Sequence, residues 1–136
     1  MAVRPVLQAL LIADNVYTDA STGKRIIAGT FDHFTLGRFP GQLDNWSTVY
    51  VSLTEIHHAV ALTVKYVDLS TDHVLAEWPL RVQAPSRLAS ADGTLRVPPL
   101  PLPHPGAYAL EVHERQNLLG SLRITAELTP EPASPH

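Results

Sequence analysis

Apolar side chains recur at every second position along most of this chain, and a period of two restricts it to β-strands with one dry and one wet face. Val49, Val51 and Leu53 share a face, as do Val60, Leu62, Val64 and Tyr66, with Ala61, Thr63 and Lys65 turned the other way. The same alternation sets Val74, Ala76, Trp78, Leu80 and Val82 against Glu77, Arg81 and Gln83, and it returns at Tyr108–Val112 and Leu122–Leu128. Turn-forming residues fall between the runs at Ser21-Thr22-Gly23, Ser70-Thr71-Asp72, Asp92-Gly93 and Arg115-Gln116-Asn117. No amphipathic segment is long enough for a substantial helix. The pattern predicts an all-β fold, an antiparallel β-sandwich of about eight strands, immunoglobulin-like or related, with a closed β-barrel as the alternative. Pro79 within an alternating run marks an edge strand or a bulge, because proline cannot donate to a ladder.

The 136 residues contain no Cys, so a disulfide scaffold and a Cys-ligated zinc module are excluded, and a chain of this length buries a core without such staples. A single domain over residues 1–128 is expected, followed by a disordered tail at 129–136 that carries three prolines. Ten Lys and Arg against thirteen Asp and Glu leave a net charge of -3, with the basic residues scattered, which argues against nucleic acid as a partner. No run approaches the ~20 apolar residues that cross a bilayer. The apolar stretch Val6–Ala13 is interrupted by Gln8 and reads as a strand, not a leader peptide, so a cytoplasmic protein with no membrane partner is expected. Val97–Gly106, with five prolines, reads as a stiff extended crossover between two sheets whose leucines face the body of the domain.

That first strand is apolar on both faces. Leu7, Ala9, Leu11 and Ala13 form one set, and Val6, Gln8, Leu10 and Ile12 the other. Only one set enters the core of a sandwich, so the other needs separate cover. The expectation is a homodimer or higher oligomer with Val6, Gln8, Leu10 and Ile12 at the interface. The alternative is cover by the loop Gly37–Asn45.

Chemical motifs are sparse. His57-His58 is the only tight pair among seven histidines, and adjacent residues of an extended chain point apart, so the expected reading is two loop histidines and no metal. A hairpin centred near Ala20-Ser21 separates Asp14 from Asp32 by about five residues, or ~17 Å, too far for one ion or an acid–base pair. Asp19 reads as a turn former, and Asp14-Asn15 as a bulge. Gly23-Lys24 lacks the preceding Gly and the following Ser or Thr of a phosphate loop. Gly120-Ser121 lacks the flanking glycines of a nucleophile elbow. No catalytic residue, cofactor or metal site is expected. Trp78 belongs to the core by alternation, whereas Trp46, beside Asp44-Asn45, is the candidate stacking platform for a ligand.

Ala13-Asp14-Asn15-Val16, Ser21-Thr22-Gly23-Lys24, Gly29-Thr30-Phe31-Asp32 and Phe39-Pro40, with Pro105-Gly106-Ala107-Tyr108 and Leu118-Leu119-Gly120-Ser121 further on, resemble an uncharacterised bacterial family of small β-sandwich proteins. Ala13 stands where many members of that family carry Cys. The resemblance implies a fold and no chemistry. The function expected is a non-catalytic interaction or assembly module, self-associating through the N-terminal hairpin and partnered by another protein. A small-ligand or carbohydrate-binding sandwich is the alternative, and a metal-dependent hydrolase is a third, weaker one.

Overall fold

Each alternating run becomes a strand. The computed structural model describes residues 5–56, 58–83 and 91–130, and its regular elements are β1 (Val6–Thr18), β2 (Arg25–Thr30), β3 (His33–Leu36), β4 (Gly41–Gln42), β5 (Ser47–Thr54), β6 (Val60–Asp68), β7 (His73–Val82), β8 (Ala91–Val97), β9 (Pro101–Leu102), β10 (Gly106–Glu114) and β11 (Asn117–Leu128). One sheet has the order β2-β1-β5-β8, a second β3-β11-β10-β6-β7, and the short β4 and β9 pair with each other. Both large sheets keep free edges, so the architecture is a sandwich and not a closed barrel. Val49, Val51 and Leu53 from the first sheet meet Leu62, Val64, Tyr66, Tyr108, Leu110 and Ile124 from the second in one continuous core. Trp78 packs partly buried against that core. Pro79 lies on β7, an edge strand. One pairing departs from the antiparallel expectation: β3 runs parallel to β11, because the chain crosses to the opposite sheet directly after β2. Among the described residues no helix is long and apolar enough to cross a membrane. Residues 131–136 of the expected tail lie outside the described residues.

The two faces of β1 are not the two that simple alternation assigns. The ladder with β5 slips between Leu7 and Ala9, so that Leu7 opposes Leu53, Leu10 opposes Val51 and Ile12 opposes Val49. A bulge at Gln8 adds one residue and inverts the phase of everything after it. Leu10, 9% exposed, and Ile12, 1% exposed, therefore belong to the core, while Val6 and Gln8 stay outside. The expected interface of Val6, Gln8, Leu10 and Ile12 is thus divided between the two sides of the strand. Ala9, Leu11 and Ala13 take the outward positions instead.

The outward face finds cover in the hairpin itself. Asp92 opposes Ser52, which opposes Ala9, whereas Arg25 opposes Thr18 at the hairpin end. In a flat sheet the nine residues from Ala9 to Thr18 would span about 30 Å. Yet Arg25 Nε lies 3.0 Å from Asp92 Oδ2 and its Nη2 lies 3.1 Å from Oδ1. The end of the β1–β2 hairpin must therefore fold back over the outside of β5 and β8. Arg96 secures the bend, its Nη1 donating to the Asp14 carbonyl at 3.3 Å, to Asn15 Oδ1 at 3.5 Å and to Thr48 Oγ1 at 3.2 Å. The loop Gly37–Asn45 does not supply this cover. It sends Phe39 and Leu43 into the core, and the Leu43 N–H donates to the Leu100 carbonyl at 3.0 Å.

Asp92-Gly93 is not a turn but part of β8. A Cβ on Gly93 would stand 3.1 Å from Val82 Cγ2 and 3.4 Å from Leu80 Cδ1, so glycine is there to let the two sheets approach. Gly93→Val is expected to lower the unfolding free energy by about 1–3 kcal/mol through overpacking, measured as an earlier urea midpoint with an unchanged slope. The crossover behaves as its leucines require: Leu100 and Leu102 are buried, while Pro98, Pro101 and Pro103 face solvent.

Candidate functional site

The crossover reaches β10 through Pro103-His104-Pro105, and there the fold brings one pair of polar residues, His104 and Tyr108, to a second pair far from it in sequence, Asp68 and Ser70. Asp68 ends β6 and Ser70 follows in the turn to β7, at a position where short polar side chains bond their own backbone. Asp68 Oδ1 accepts from the Ser70 N–H at 3.0 Å and from the Ser70 hydroxyl at 2.8 Å. His104 Nε2 lies 2.6 Å from Asp68 Oδ2, and His104 Nδ1 lies 2.7 Å from the Pro105 carbonyl. Tyr108 donates its hydroxyl to the His104 carbonyl at 2.5 Å and accepts from the His104 N–H at 3.1 Å. This tyrosine bonded four residues upstream is the tyrosine corner of Greek-key sandwiches. Tyr66 stacks on Tyr108 with ring centroids 5.6 Å apart and donates to the Pro101 carbonyl at 2.8 Å.

Asp, His and Ser side by side have the composition of a hydrolytic triad but not its geometry. In a triad the carboxylate and the hydroxyl bond different ring nitrogens, leaving one as a base facing the nucleophile. Here Asp68 and Ser70 both approach Nε2, the serine oxygen at 3.1 Å, and Nδ1 is taken by a carbonyl. Each ring nitrogen faces an acceptor, an arrangement that favours the doubly protonated ring. The Pro105 carbonyl first, and then the Asp68 carboxylate, raise the His104 pKa above the ordinary histidine value against the opposing effect of burial. Burial pushes the Asp68 carboxyl up, but hydrogen bonds from Ser70 and His104 outweigh it and hold the pKa below the usual carboxylate value. The Ser70 hydroxyl donates to Asp68 and has no base to take its proton. The cluster clamps the proline-rich crossover to the β6–β7 turn.

The residues singled out in the sequence are placed as follows. Asp19 is a turn former: its Oδ1 accepts from the Ser21 hydroxyl at 2.7 Å, the Ser21 N–H at 2.8 Å and the Thr22 N–H at 3.1 Å. Those Ser21 bonds, more than any other, lower its pKa. Asp14-Asn15 forms no bulge, since the β1–β2 ladder runs without a slip from Ala13↔Thr30 to Thr18↔Arg25. The hairpin is centred later than expected, which puts Asp14 opposite Gly29 and only three residues, about 10 Å, along the ladder from Asp32. His57 lies outside the described residues, and His58 is exposed. Among the described residues no three His, Asp or Glu side chains group as metal ligands.

Trp46 is 50% exposed just before β5. It lines an open groove of about 460 Å³ with Asp14, Asn15, Asn45 and Arg96. On the other side of the same loop a cleft of about 400 Å³ enters the end of the sandwich, with Phe31 and Phe34 among its walls and Asp14, Asp44, Asn45 and Ser47 around them. Asp14 and Asn45 border both spaces. The two phenylalanines meet edge to face, 4.9 Å between centroids. The aromatic and polar residue types at Trp46 were visible in the sequence. Arg96 was not, because its place follows from the strand order, in which Arg96 opposes Thr48 and Thr48 opposes Ala13.

A family model described as a family of unknown function, DUF6941, matches residues 8–127. No curated protein matches the chain. Among solved structures, an immunoglobulin-like protein from Pseudomonas aeruginosa is similar over 91% of this chain and 97% of its own, with 13% identity and a TM-score of 0.41.

Proposed function

We propose that the chain, which belongs to this family of unknown function, is a non-catalytic interaction module of the cytoplasm that self-associates through the back of its N-terminal hairpin and engages another protein. The observation that carries this reading is one cross-strand pair. Tyr17 opposes Ile26, and they are 54% and 50% exposed. Their neighbours Thr18 and Arg25 point the other way, toward Asp92, so Tyr17 and Ile26 face outward from a hairpin already pinned beneath. β2 is also an edge strand whose outer backbone groups a second copy can pair, giving a two-fold interface. With Leu10 and Ile12 inside the core, the available apolar surface is small, and the association is weak and concentration-dependent. The non-catalytic part of the reading is supported by the Asp68–Ser70–His104 geometry, which leaves no free base.

Sedimentation equilibrium tests it. The wild type is expected to show a monomer–dimer equilibrium, and Tyr17→Lys with Ile26→Lys a folded monomer by circular dichroism. A wild type that stays monomeric throughout the accessible concentration range removes self-association.

A further inference from the structure

We infer that the loop Asp44–Ser47 carries a binding site for a neutral, polyhydroxylated ligand, a sugar ring or the end of a glycan, with the Trp46 indole as its platform.

Three observations converge on it. First, Trp46 is half exposed beside a groove, whereas Trp78 packs partly buried against the core. An exposed ring face offers apolar contact to the C–H face of a sugar. Second, Ser47 is only 3% exposed and lines the adjoining cleft. Ser47 thus brings a hydroxyl, both donor and acceptor, to the wall of that cleft. Third, one guanidinium nitrogen of Arg96 is already held by the Asp14 carbonyl, Asn15 and Thr48, so the cation is fixed in place at the groove before any ligand arrives.

The mixture of charges selects the class of ligand. Arg96 opposes a cation in the groove, and Asp14 with Asp44 opposes an anion in the cleft. Hydroxyl groups both donate and accept, so they suit carboxylate, amide and guanidinium together. The volumes, about 460 and 400 Å³, fall within the ~300–1,000 Å³ usual for small-ligand sites.

The experiment uses the Trp78→Phe protein, in which Trp46 is the only tryptophan. Its fluorescence is titrated with glucose, galactose, mannose, N-acetylglucosamine and their short oligomers, and in parallel with choline and inorganic phosphate. A saturable change with at least one neutral sugar is expected. The same sugar should bind Asn45→Ala about tenfold more weakly, as loss of one good contact implies. Trp46→Ala in the otherwise wild-type chain should lose the sugar's binding heat in calorimetry. Both altered side chains are exposed, and thermal melting confirms that the variants fold. Saturation by choline or phosphate alone, unchanged sugar affinity in Trp46→Ala, or no response to any neutral sugar overturns the inference.

Discussion

Asp68→Ala is expected to lower the unfolding free energy by about 2 kcal/mol, the loss that follows when a nearly buried carboxylate is removed and its hydrogen-bond donors are left without a partner. Asp68 is nearly buried and accepts three hydrogen bonds, from the Ser70 N–H, the Ser70 hydroxyl and His104. Without it the His104 imidazolium keeps only the Pro105 carbonyl and a weak approach to Ser70. Asp68→Asn is the informative companion. A neutral imidazole can keep its Nδ1 proton on Pro105 and accept at Nε2 from the asparagine amide, so this variant should lose less than half as much as the alanine variant. The two also differ in pH dependence. The raised His104 pKa contributes stability that is fully present below the unfolded histidine value near ~6.5 and is lost as pH rises through the folded value. The lowered Asp68 pKa contributes above ~4, and that part is lost as pH falls through the folded value. The clamp is therefore strongest between about pH 4 and 6.5. Urea denaturation from about pH 4 to 9 should show the alkaline decline above ~6.5 in wild type and a smaller one in Asp68→Asn, which keeps the Pro105 carbonyl but loses the carboxylate. A parallel decline in both proteins would mean that another group is responsible.

Leu10→Lys is expected to destabilise the fold by about 4 kcal/mol and not to yield a folded monomer from an oligomer. Leu10 opposes Val51 in the core cluster, so a lysine there loses the buried aliphatic contact and also strands a charge or forces its neutralisation. Leu11→Lys, one residue further on, is the control. Leu11 takes an outward position opposite Tyr50, where a lysine can run its stem along the sheet and reach water, so the cost should stay near 1 kcal/mol. Thermal unfolding of the two variants reads out the phase of the strand directly. If Leu11→Lys is the more damaging, the bulge is not at Gln8.

The clamp and the Trp46 site differ in how much of each could be read without coordinates. Trp46 beside Asp44-Asn45 announced an exposed aromatic in a polar loop, and its exposure follows from those neighbours. Asp68, Ser70 and His104 gave no such notice. Each has an ordinary local reason to be where it is, and the 34 positions that separate His104 from Ser70 carry no spacing that links them. Arg96 likewise acts on Asn15 across 81 positions of sequence, through a strand order, β1-β5-β8, that no local pattern encodes.

What short-range physics controls could be read from the residues alone. Alternation set the all-β class and placed β5, β6, β7, β10 and β11. Turn chemistry at Asp19–Lys24, Ser70–Asp72 and Arg115-Gln116 set three of the reversals, and proline spacing set a crossover with Leu100 and Leu102 inward. The facing of β1 was fixed by packing in the folded protein, because one extra residue at Gln8 inverts a period-two pattern that is apolar on both sides and so gives no sign of the slip. Packing also decided that Asp92-Gly93 is strand and not turn, since the reason for the glycine is Val82 on the opposite sheet. The cover of the outward face was decided there too, by an ion pair between strands at opposite ends of their sheet order. Such contacts depend on curvature accumulated along a whole hairpin, which no window of residues contains.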